Sequence, residues 1–195
     1  MAFFPSFDEA TCKQDDIANA ASLTTDTIPT AFTCFNLTDL FTQPSDNGSQ
    51  GVWRVPDSRP SPKVDYLLSN RGSYNADTNY TNVWYQQVNQ TVKPGADGTW
   101  VLYTYAFANC IQNGGDAFEL KEFPWFETSC QTKDRGECQQ VPKPVKSFAI
   151  GPAAPYNARH GQCEVWATMG DASTLNRQTS ALLVVAATMT AFLTL

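Results

Sequence analysis

Histidine is almost absent from this sequence, since His160 is the only one among 195 residues. A Ser-His-Asp or Cys-His catalytic arrangement would have to use this residue, and no G-x-S-x-G nucleophile elbow accompanies it. Metal sites that are built from several imidazoles are excluded. His160 stands in a segment bounded by proline and glycine, where we expect a solvated loop. The sequence therefore predicts neither a catalytic residue nor a metal site.

Basic residues and nucleotide-binding motifs are also scarce. The chain has 13 Lys and Arg against 19 Asp and Glu, so its net charge is -6. This balance gives no electrostatic footprint for a phosphate backbone or an anionic lipid surface. Neither a Gly-rich phosphate loop nor a dinucleotide fingerprint occurs. We expect no nucleic-acid partner and no cofactor.

The sequence has no C-x-x-C pair of the kind that binds zinc or exchanges disulfides, although it has six cysteines. The cysteines are Cys12, Cys34, Cys110, Cys130, Cys138 and Cys163. Their even number favours three disulfides and an oxidising compartment, with six buried thiols in a cytosolic protein as the alternative. Because local loops close most easily, the predicted pairs are Cys12 with Cys34 and Cys130 with Cys138, which leaves Cys110 with Cys163.

No apolar run reaches membrane-spanning length, but an uncharged apolar run of fifteen residues ends the chain at 181–195. As a helix it reaches about 22 Å, short of the roughly 30 Å hydrocarbon layer. A small triplet that begins with Gly170 and Asp171 and a polar spacer precede it. This order is typical of the signal that is replaced by a glycosylphosphatidylinositol (GPI) lipid, here at Gly170 or Asp171. The alternatives are a cytosol-facing tail anchor and a buried terminal helix.

The first ten residues do not resemble a secretory signal peptide, because they have no basic region and their apolar stretch is broken by Pro5 and Asp8. A lipid-attachment signal acts only on a chain that has entered the secretory route. We therefore expect the gene product to begin upstream of this sequence.

Four N-x-[ST] sequons occur, and all lie between Cys34 and Cys110. They begin at Asn36, Asn47, Asn79 and Asn89. The clustering predicts glycans on one half of the domain and none on the cysteine-rich half.

Short runs rich in Val, Tyr, Trp, Phe and Thr follow one another from residue 51, separated by Pro, Gly, Asn and Asp. Such runs predict strands joined by turns. The predicted strands are 51–55, 64–68, 82–91, 99–108, 117–123, 145–150 and 162–169. We expect an all-β fold, a disulfide-stabilised antiparallel β-sandwich of Greek-key type with minor helix and a C-terminal hydrophobic tail.

The predicted organisation has four parts. Residues 1–50 form an irregular segment, with a short helix near 15–22, that packs on the domain. Residues 51–170 form the sandwich, 171–180 the polar spacer and 181–195 the GPI-attachment tail.

A hairpin is the clearest local prediction. Residues 83–88 lead into a connector with Asp97-Gly98, and 100–107 return from it. Alternation places Tyr103 and Tyr105 on one face of the second strand and Leu102 on the other. Both faces are apolar, as in the middle of a two-sheet sandwich.

Aromatic residues give the candidate binding surface. We expect Trp84, Trp100 and Trp166 in the core, and Trp125 with Trp53 as a possible platform for sugar rings. Three carboxylates surround Trp125, namely Glu119, Glu122 and Glu127. Two of them could serve glycoside hydrolysis, but the expected interpretation is solvated charges at a strand edge.

The lipid-attachment tail, Thr- and Ser-rich composition, clustered sequons and six cysteines together resemble small fungal cell-surface glycoproteins. Residues 101–105 (VLYTY) through 145–150 (VKSFAI) resemble the half-motif of βγ-crystallin Greek keys, in which a serine follows an aromatic strand. Ser147 matches that serine. Asn109-Cys110 stands where the family places its glycine corner, and the intervening segment is longer. The resemblance implies a Greek-key sandwich and no calcium site.

These observations predict a non-enzymatic, GPI-anchored cell-surface or cell-wall glycoprotein with a structural or recognition role, whose partner is cell-wall polysaccharide. The first alternative is a secreted carbohydrate-binding or host-interacting protein that uses exposed aromatics. The second is a small hydrolase.

Overall fold

The computed structural model describes residues 1–5, 12–51, 63–89, 91–111 and 126–168 of the chain. The strands are β1 (Ala2–Pro5), β2 (Ala21–Thr24), β3 (Thr33–Asn36), β4 (Asn47–Gly51), β5 (Lys63–Ser69), β6 (Tyr80–Tyr85), β7 (Asp97–Tyr105), β8 (Phe126–Cys130), β9 (Glu137–Gln140), β10 (Ser147–Pro152) and β11 (Ala167–Thr168). The helices are α1 (Leu37–Thr42), α2 (Ala153–His160) and the 3₁₀ helices Gln14–Asn19, Arg71–Ser73 and Ala108–Cys110. None of the helices in these ranges has the length and apolar character needed to cross a bilayer.

The strands form two antiparallel sheets. Sheet A has the order β4-β5-β2-β1-β6-β9, and sheet B has the order β11-β8-β7-β10-β3. Each sheet has one buried face, and the side chains of the two buried faces form one shared apolar core. The prediction of an all-β, sandwich-like fold with minor helix is therefore confirmed.

Phenylalanine rings join the two sheets. Phe3 of β1 lies 5.5 Å from Phe148 of β10, measured between ring centroids, and Phe35 of β3 stacks on Phe148 at 4.9 Å. Ile150 points into the same core, whereas Ala149 between them belongs to a cluster on the outer face of sheet B. The period-2 alternation of β10 thus puts its large side chains between the sheets.

The predicted hairpin is wrong. β6 pairs with β1 and β9 in sheet A, while β7 pairs with β8 and β10 in sheet B, so the connector between them crosses from one sheet to the other. Both strands are covered on both faces. The sequence pattern of such a strand shows that its faces are buried, but it does not show which strands pair with it. The predicted faces of β7 are correct, because Leu102 is in the core and Tyr105 is on the outer side.

The side chain of Gln87, in that connector, completes the ladder of β7. Its Oε1 accepts hydrogen bonds from the backbone N–H groups of Thr99 (3.1 Å) and Trp100 (2.9 Å), and its Nε2 donates to the carbonyls of Trp100 (2.8 Å) and Cys130 (3.0 Å). The β7–β8 pairing is irregular between Asp97 and Leu102. The buried amide therefore satisfies backbone groups that the ladder leaves without a strand partner.

Residues 1–50 are not the irregular segment that we expected. They contain β1 near the middle of sheet A, β2 beside it, β3 at the edge of sheet B, α1 and most of β4. Strands of four residues are too short for alternation to be recognised. The short helix predicted near residues 15–22 corresponds to the 3₁₀ helix Gln14–Asn19.

The other predicted strands have mixed outcomes. Those at 64–68, 82–91, 99–108 and 145–150 overlap β5, β6, β7 and β10. The one at 117–123 lies outside the described residues, and so does 51–55 except for Gly51, which ends β4. Of the predicted strand at 162–169, the structure describes residues 162–168, and in that part only the two residues of β11 are strand.

All six cysteines are paired, as predicted, but the partners differ from those expected. The pairs are Cys12–Cys138, Cys34–Cys110 and Cys130–Cys163, with Cα atoms 5.7, 6.0 and 5.1 Å apart. The predicted pairs Cys12–Cys34, Cys130–Cys138 and Cys110–Cys163 are wrong. Local loop closure favours the first two of these pairs, whereas the observed bonds join residues 126, 76 and 33 positions apart. These bonds are long-range. They join cysteines that are distant in the sequence and close together in the folded sandwich.

Candidate functional site

Four polar side chains converge on the outer face of sheet B, under α2. Glu127 of β8 lies opposite Tyr103 of β7 in the sheet register, and both point to the side that α2 covers. Tyr156 and His160 come from successive turns of α2, and Glu164 comes from the segment after it. We call Glu127, Tyr156, His160 and Glu164 the carboxylate cluster.

One phenol links the two carboxyl groups of this cluster. The Tyr156 hydroxyl contacts Oε1 of Glu127 and lies 2.5 Å from Oε2 of Glu164. It carries a single hydrogen, so it can donate to only one of these oxygens at a time. Glu127 is 1% exposed, and its Oε2 has no hydrogen-bond partner among the described residues.

His160 is fixed to the last turn of α2 and faces solvent. Its ring lies over that of Tyr156, with centroids 4.1 Å apart, and its Nδ1 is 3.0 Å from the Tyr156 carbonyl oxygen. A carbonyl can only accept, so Nδ1–H is the donor in this hydrogen bond. In the neutral imidazole Nε2 then retains its lone pair.

Local backbone features bring Glu164 back to the sheet. Gly161 ends α2 with a φ of +77°, a left-handed conformation that glycine adopts without steric penalty. The chain then reaches Cys163, which is bonded to Cys130 of β8. The Glu164 backbone N–H donates to the Ser129 hydroxyl (3.0 Å), and its carbonyl accepts from the Ser129 N–H (2.7 Å). These bonds hold Glu164 beside Glu127.

The electrostatics of the cluster favour a protonated Glu127. Burial raises the pKa of Glu127 to about 7; the Tyr156 hydrogen bond opposes this increase, the negative charge of Glu164 adds to it, and Arg159 opposes it. Burial and the two carboxylates also raise the pKa of the Tyr156 phenol. At neutral pH the cluster therefore holds a carboxyl group close to its midpoint of titration.

The cluster can hold protons or a cation. One ligand atom from each of Glu127, His160 and Glu164 lies within 4.8 Å of the other two. A glycoside hydrolase, in contrast, needs two carboxyl groups on either side of an accessible sugar. Here Tyr156 fills the space between them and Glu127 is buried, which speaks against hydrolysis by this pair.

A cavity at one end of the sandwich is the second candidate. It has a volume of about 220 Å³, and Leu23, Trp84, Tyr85, Trp100 and Ile150 are among its lining residues. The Tyr85 hydroxyl and the Trp100 Nε1–H have no hydrogen-bond partner in the described ranges. Ligand pockets usually measure roughly 300–1,000 Å³, and this cavity is smaller. The carboxylate cluster is thus the stronger candidate.

The structure places some predicted site residues and corrects two interpretations. Glu127 is not a solvated edge charge but a fully buried carboxyl, because it points under α2. His160 is exposed as expected, but it ends a helix and does not lie in a loop. The remaining site predictions outside the described residues are Trp53, Trp125, Glu119, Glu122, Gly170 and Asp171.

Sequence reasoning missed Tyr156 and Glu164. The sequence pattern that could have indicated Tyr156 is weak, because Tyr156 and His160 share a face only if 153–160 is a helix. Among the tryptophans expected in the core, Trp84 is buried and Trp100 and Trp166 are half-buried.

The four sequons differ in their surroundings. Asn47, Asn79 and Asn89 are exposed. Asn36 is half-buried, and its Nδ2 donates to Oδ2 of Asp39 (2.8 Å) and to Oδ1 of Asn109 (2.9 Å). The exposed three are therefore the sequons with room for a glycan.

Ser147, the serine of the crystallin resemblance, is fully buried. Its hydroxyl donates to the Phe107 carbonyl (2.5 Å) and accepts from the Cys110 N–H (2.9 Å). Asn109 and Cys110 have φ values of +59° and +51°. Ser147 therefore holds a turn whose backbone is left-handed at two residues.

Comparison of the chain with protein-family models, with curated proteins and with solved structures gives no match, so the site is interpreted from its own chemistry.

Proposed function

We propose that this protein is a non-enzymatic, GPI-anchored glycoprotein of a fungal-type cell surface or cell wall, with a structural or recognition role. The observation that carries the proposal is the pairing of all six cysteines in three disulfides. Disulfides persist in secreted proteins and are rare in the reducing cytosol. The three disulfides therefore support an oxidising compartment as the place where the protein acts.

The positions of the sequons support glycosylation. Asn47 lies on β4, which is an edge strand of sheet A, and Asn79 and Asn89 flank β6. All three side chains are exposed. A glycan at Asn47 would also shield an open sheet edge from pairing with a second chain.

The order of small residues, polar spacer and apolar tail from Gly170 to Leu195 supports replacement of the tail by a lipid. Lipid attachment at Gly170 or Asp171 would leave the sandwich tethered directly to the outer leaflet. Cell-wall polysaccharide is the expected partner in that location.

Phospholipase release tests this proposal. The full gene product, including any upstream leader, is expressed in a fungal host, and intact cells are treated with phosphatidylinositol-specific phospholipase C. We expect release of a glycosylated protein that lacks residues 181–195. The matched control replaces both candidate attachment residues (Gly170→Lys with Asp171→Lys), and we expect it to lose surface attachment.

Recovery of mature protein that retains Phe192 and Leu195 and has reduced thiols would overturn the proposal. On released protein, binding to a glycan array would favour recognition, and its absence would favour a structural role.

A further inference from the structure

We infer that Glu127, Glu164 and His160 form a binding site for one divalent cation of zinc type. The three residues come from β8, from the segment after α2 and from the last turn of α2. This proposal does not rest on the cell-surface assignment, because the cluster lies in the folded part of the chain.

An unsatisfied buried oxygen is the first observation that points to a ligand. Glu127 is 1% exposed, and its Oε2 lacks a hydrogen-bond partner within the described part of the chain. A buried carboxylate oxygen without a hydrogen-bond partner lowers the stability of the fold. Buried charges are therefore normally paired or bound to metals. The carboxyl group already contacts Tyr156 through its other oxygen, so Oε2 is the atom left for a cation.

A shortage of hydrogens in the cluster is the second observation. Two carboxyl groups meet one phenol, and Tyr156 can donate its single hydrogen to only one of them. With both carboxyl groups ionised, the cluster would hold two negative charges close together. A divalent cation would neutralise them without requiring an additional proton.

The orientation of His160 is the third observation. Its Nδ1–H donates to the backbone carbonyl of Tyr156, which leaves the Nε2 lone pair for a ligand. Metal-binding histidines almost always donate their other N–H to a carbonyl or carboxylate in this way. Position on the last turn also places His160 at the partly negative end of the α2 dipole, where a cation is favoured.

The site is held in place before any ion binds. The Cys130–Cys163 disulfide joins the strand that carries Glu127 to the segment that carries Glu164. The Glu164 N–H donates to the Ser129 hydroxyl and the Glu164 carbonyl accepts from the Ser129 N–H, and these two bonds fix the same segment. Exposed His160 is thus the ligand with the most freedom to adjust.

Ligand chemistry and spacing select the class of ion. One imidazole and two carboxylates suit zinc, whereas Ca²⁺ prefers six to eight oxygen ligands. At the tetrahedral angles of a zinc site, bonds of about 2.0–2.2 Å separate two ligand atoms by about 3.3–3.6 Å. The three atoms lie within 4.8 Å of one another, so they must approach by at most about 1.5 Å, which the exposed His160 side chain can supply.

Calorimetric titration of the tag-free full chain with ZnCl₂ tests the inference. We expect one zinc ion per chain. His160→Ala and Glu164→Gln should each lower the affinity at least tenfold, because each removes one ligand. The control is Glu137→Gln, which changes a carboxylate on β9 of the other sheet and should leave the affinity within twofold.

NMR of the unmodified protein supplies a second readout. Because the chain has one histidine, its imidazole nitrogen signals are unambiguous. Zinc should shift the Nε2 signal and leave Nδ1 protonated. The inference is overturned if the wild type shows no saturable binding, if the imidazole signals do not move, if His160→Ala binds as the wild type does, or if Glu137→Gln weakens binding as much as Glu164→Gln.

Discussion

At the scale of single residues, Glu127 shows how a sheet residue becomes a site. It lies opposite Tyr103 on β7, so strand alternation turns it toward α2 and not toward solvent. The titratable groups near it are Tyr103 and Tyr105 from β7, Tyr156, Arg159 and His160 from α2, and Glu164 from the segment after α2. Burial raises the pKa of Glu127 more than the positive charge of Arg159 lowers it, so the net shift is upward.

This pKa predicts a pH dependence of stability in the metal-free protein. The pKa of Glu127 is about 7 when folded against 4.5 as the ordinary value, so the folded state holds a proton that the unfolded state releases between these limits. The free energy of unfolding should therefore fall as the pH rises from about 4.5 to 7. Urea denaturation in EDTA measures it, and Glu127→Gln should flatten the profile. Equal slopes for the two proteins would show that Glu127 ionises normally.

Ser147 carries a structural prediction at the same scale. Its hydroxyl satisfies the Cys110 N–H and the Phe107 carbonyl inside the protein. Ser147→Ala leaves both without this partner and should lower the free energy of unfolding by about 1–3 kcal/mol. Denaturant unfolding measures the change, with Ser49→Ala on the exposed edge strand β4 as the control. A loss for Ser147→Ala no larger than that for Ser49→Ala would contradict the role given to this hydroxyl.

Asn36 should differ from the other sequons in glycan occupancy. Its Nδ2 donates to Asp39 and to Asn109, and its Oδ1 accepts from the Asn109 N–H at 2.6 Å. A glycan on Nδ2 leaves one hydrogen, so both donated bonds cannot survive. Mass spectrometry after enzymatic glycan removal should show lower occupancy at Asn36 than at Asn47. Full occupancy of Asn36 in folded protein would contradict this.

At the scale of elements, α2 is the helix that makes the site, and its end depends on one glycine. Gly161 has a φ of +77° and open space around the position of an added Cβ. Gly161→Ala should therefore lower the free energy of unfolding by about 1 kcal/mol through backbone strain alone. The control is Gly72→Ala, which also has open space but an ordinary φ. Thermal unfolding compares the two, and equal melting temperatures would argue against strain at Gly161.

The sequence could not reveal α2, because Pro155 and Gly161 were interpreted as loop residues. Pro155 is the third residue of the helix, in the first turn where proline is tolerated, and Gly161 is its C-terminal cap. The same two residues that suggested a loop therefore lie in the first turn and at the C-terminal cap of a helix. With the helix missed, the shared face of Tyr156 and His160 could not be recognised.

Strand faces were predictable, but strand partners were not. Alternation along β7 correctly separated Leu102 from Tyr105, because burial on each face is a local property. Pairing depends on connections between sheets, and the chain crosses from β6 to β7 without forming a hairpin. Glu164 joins the cluster through the Cys130–Cys163 bond, which is a tertiary feature that spacing does not encode.

At the scale of the whole molecule, the disulfides fasten segments that cover the sandwich. Cys12–Cys138 ties the start of the 3₁₀ segment to the outer face of sheet A, and Cys34–Cys110 ties a turn to the outer face of sheet B. The chain-entropy model gives about 4–5 kcal/mol for each loop of such length. Net domain stability is only about 5–15 kcal/mol, so the fold should depend on an oxidising compartment.

Disulfide mapping of the mature protein, purified from its native cells without reductant, tests this account most directly. Proteolysis with thiols blocked at low pH, followed by mass spectrometry, identifies each linked peptide pair. We predict the three bonds Cys12–Cys138, Cys34–Cys110 and Cys130–Cys163 and no alkylated cysteine. Six alkylated cysteines in folded protein would contradict both the oxidising compartment and the cell-surface role.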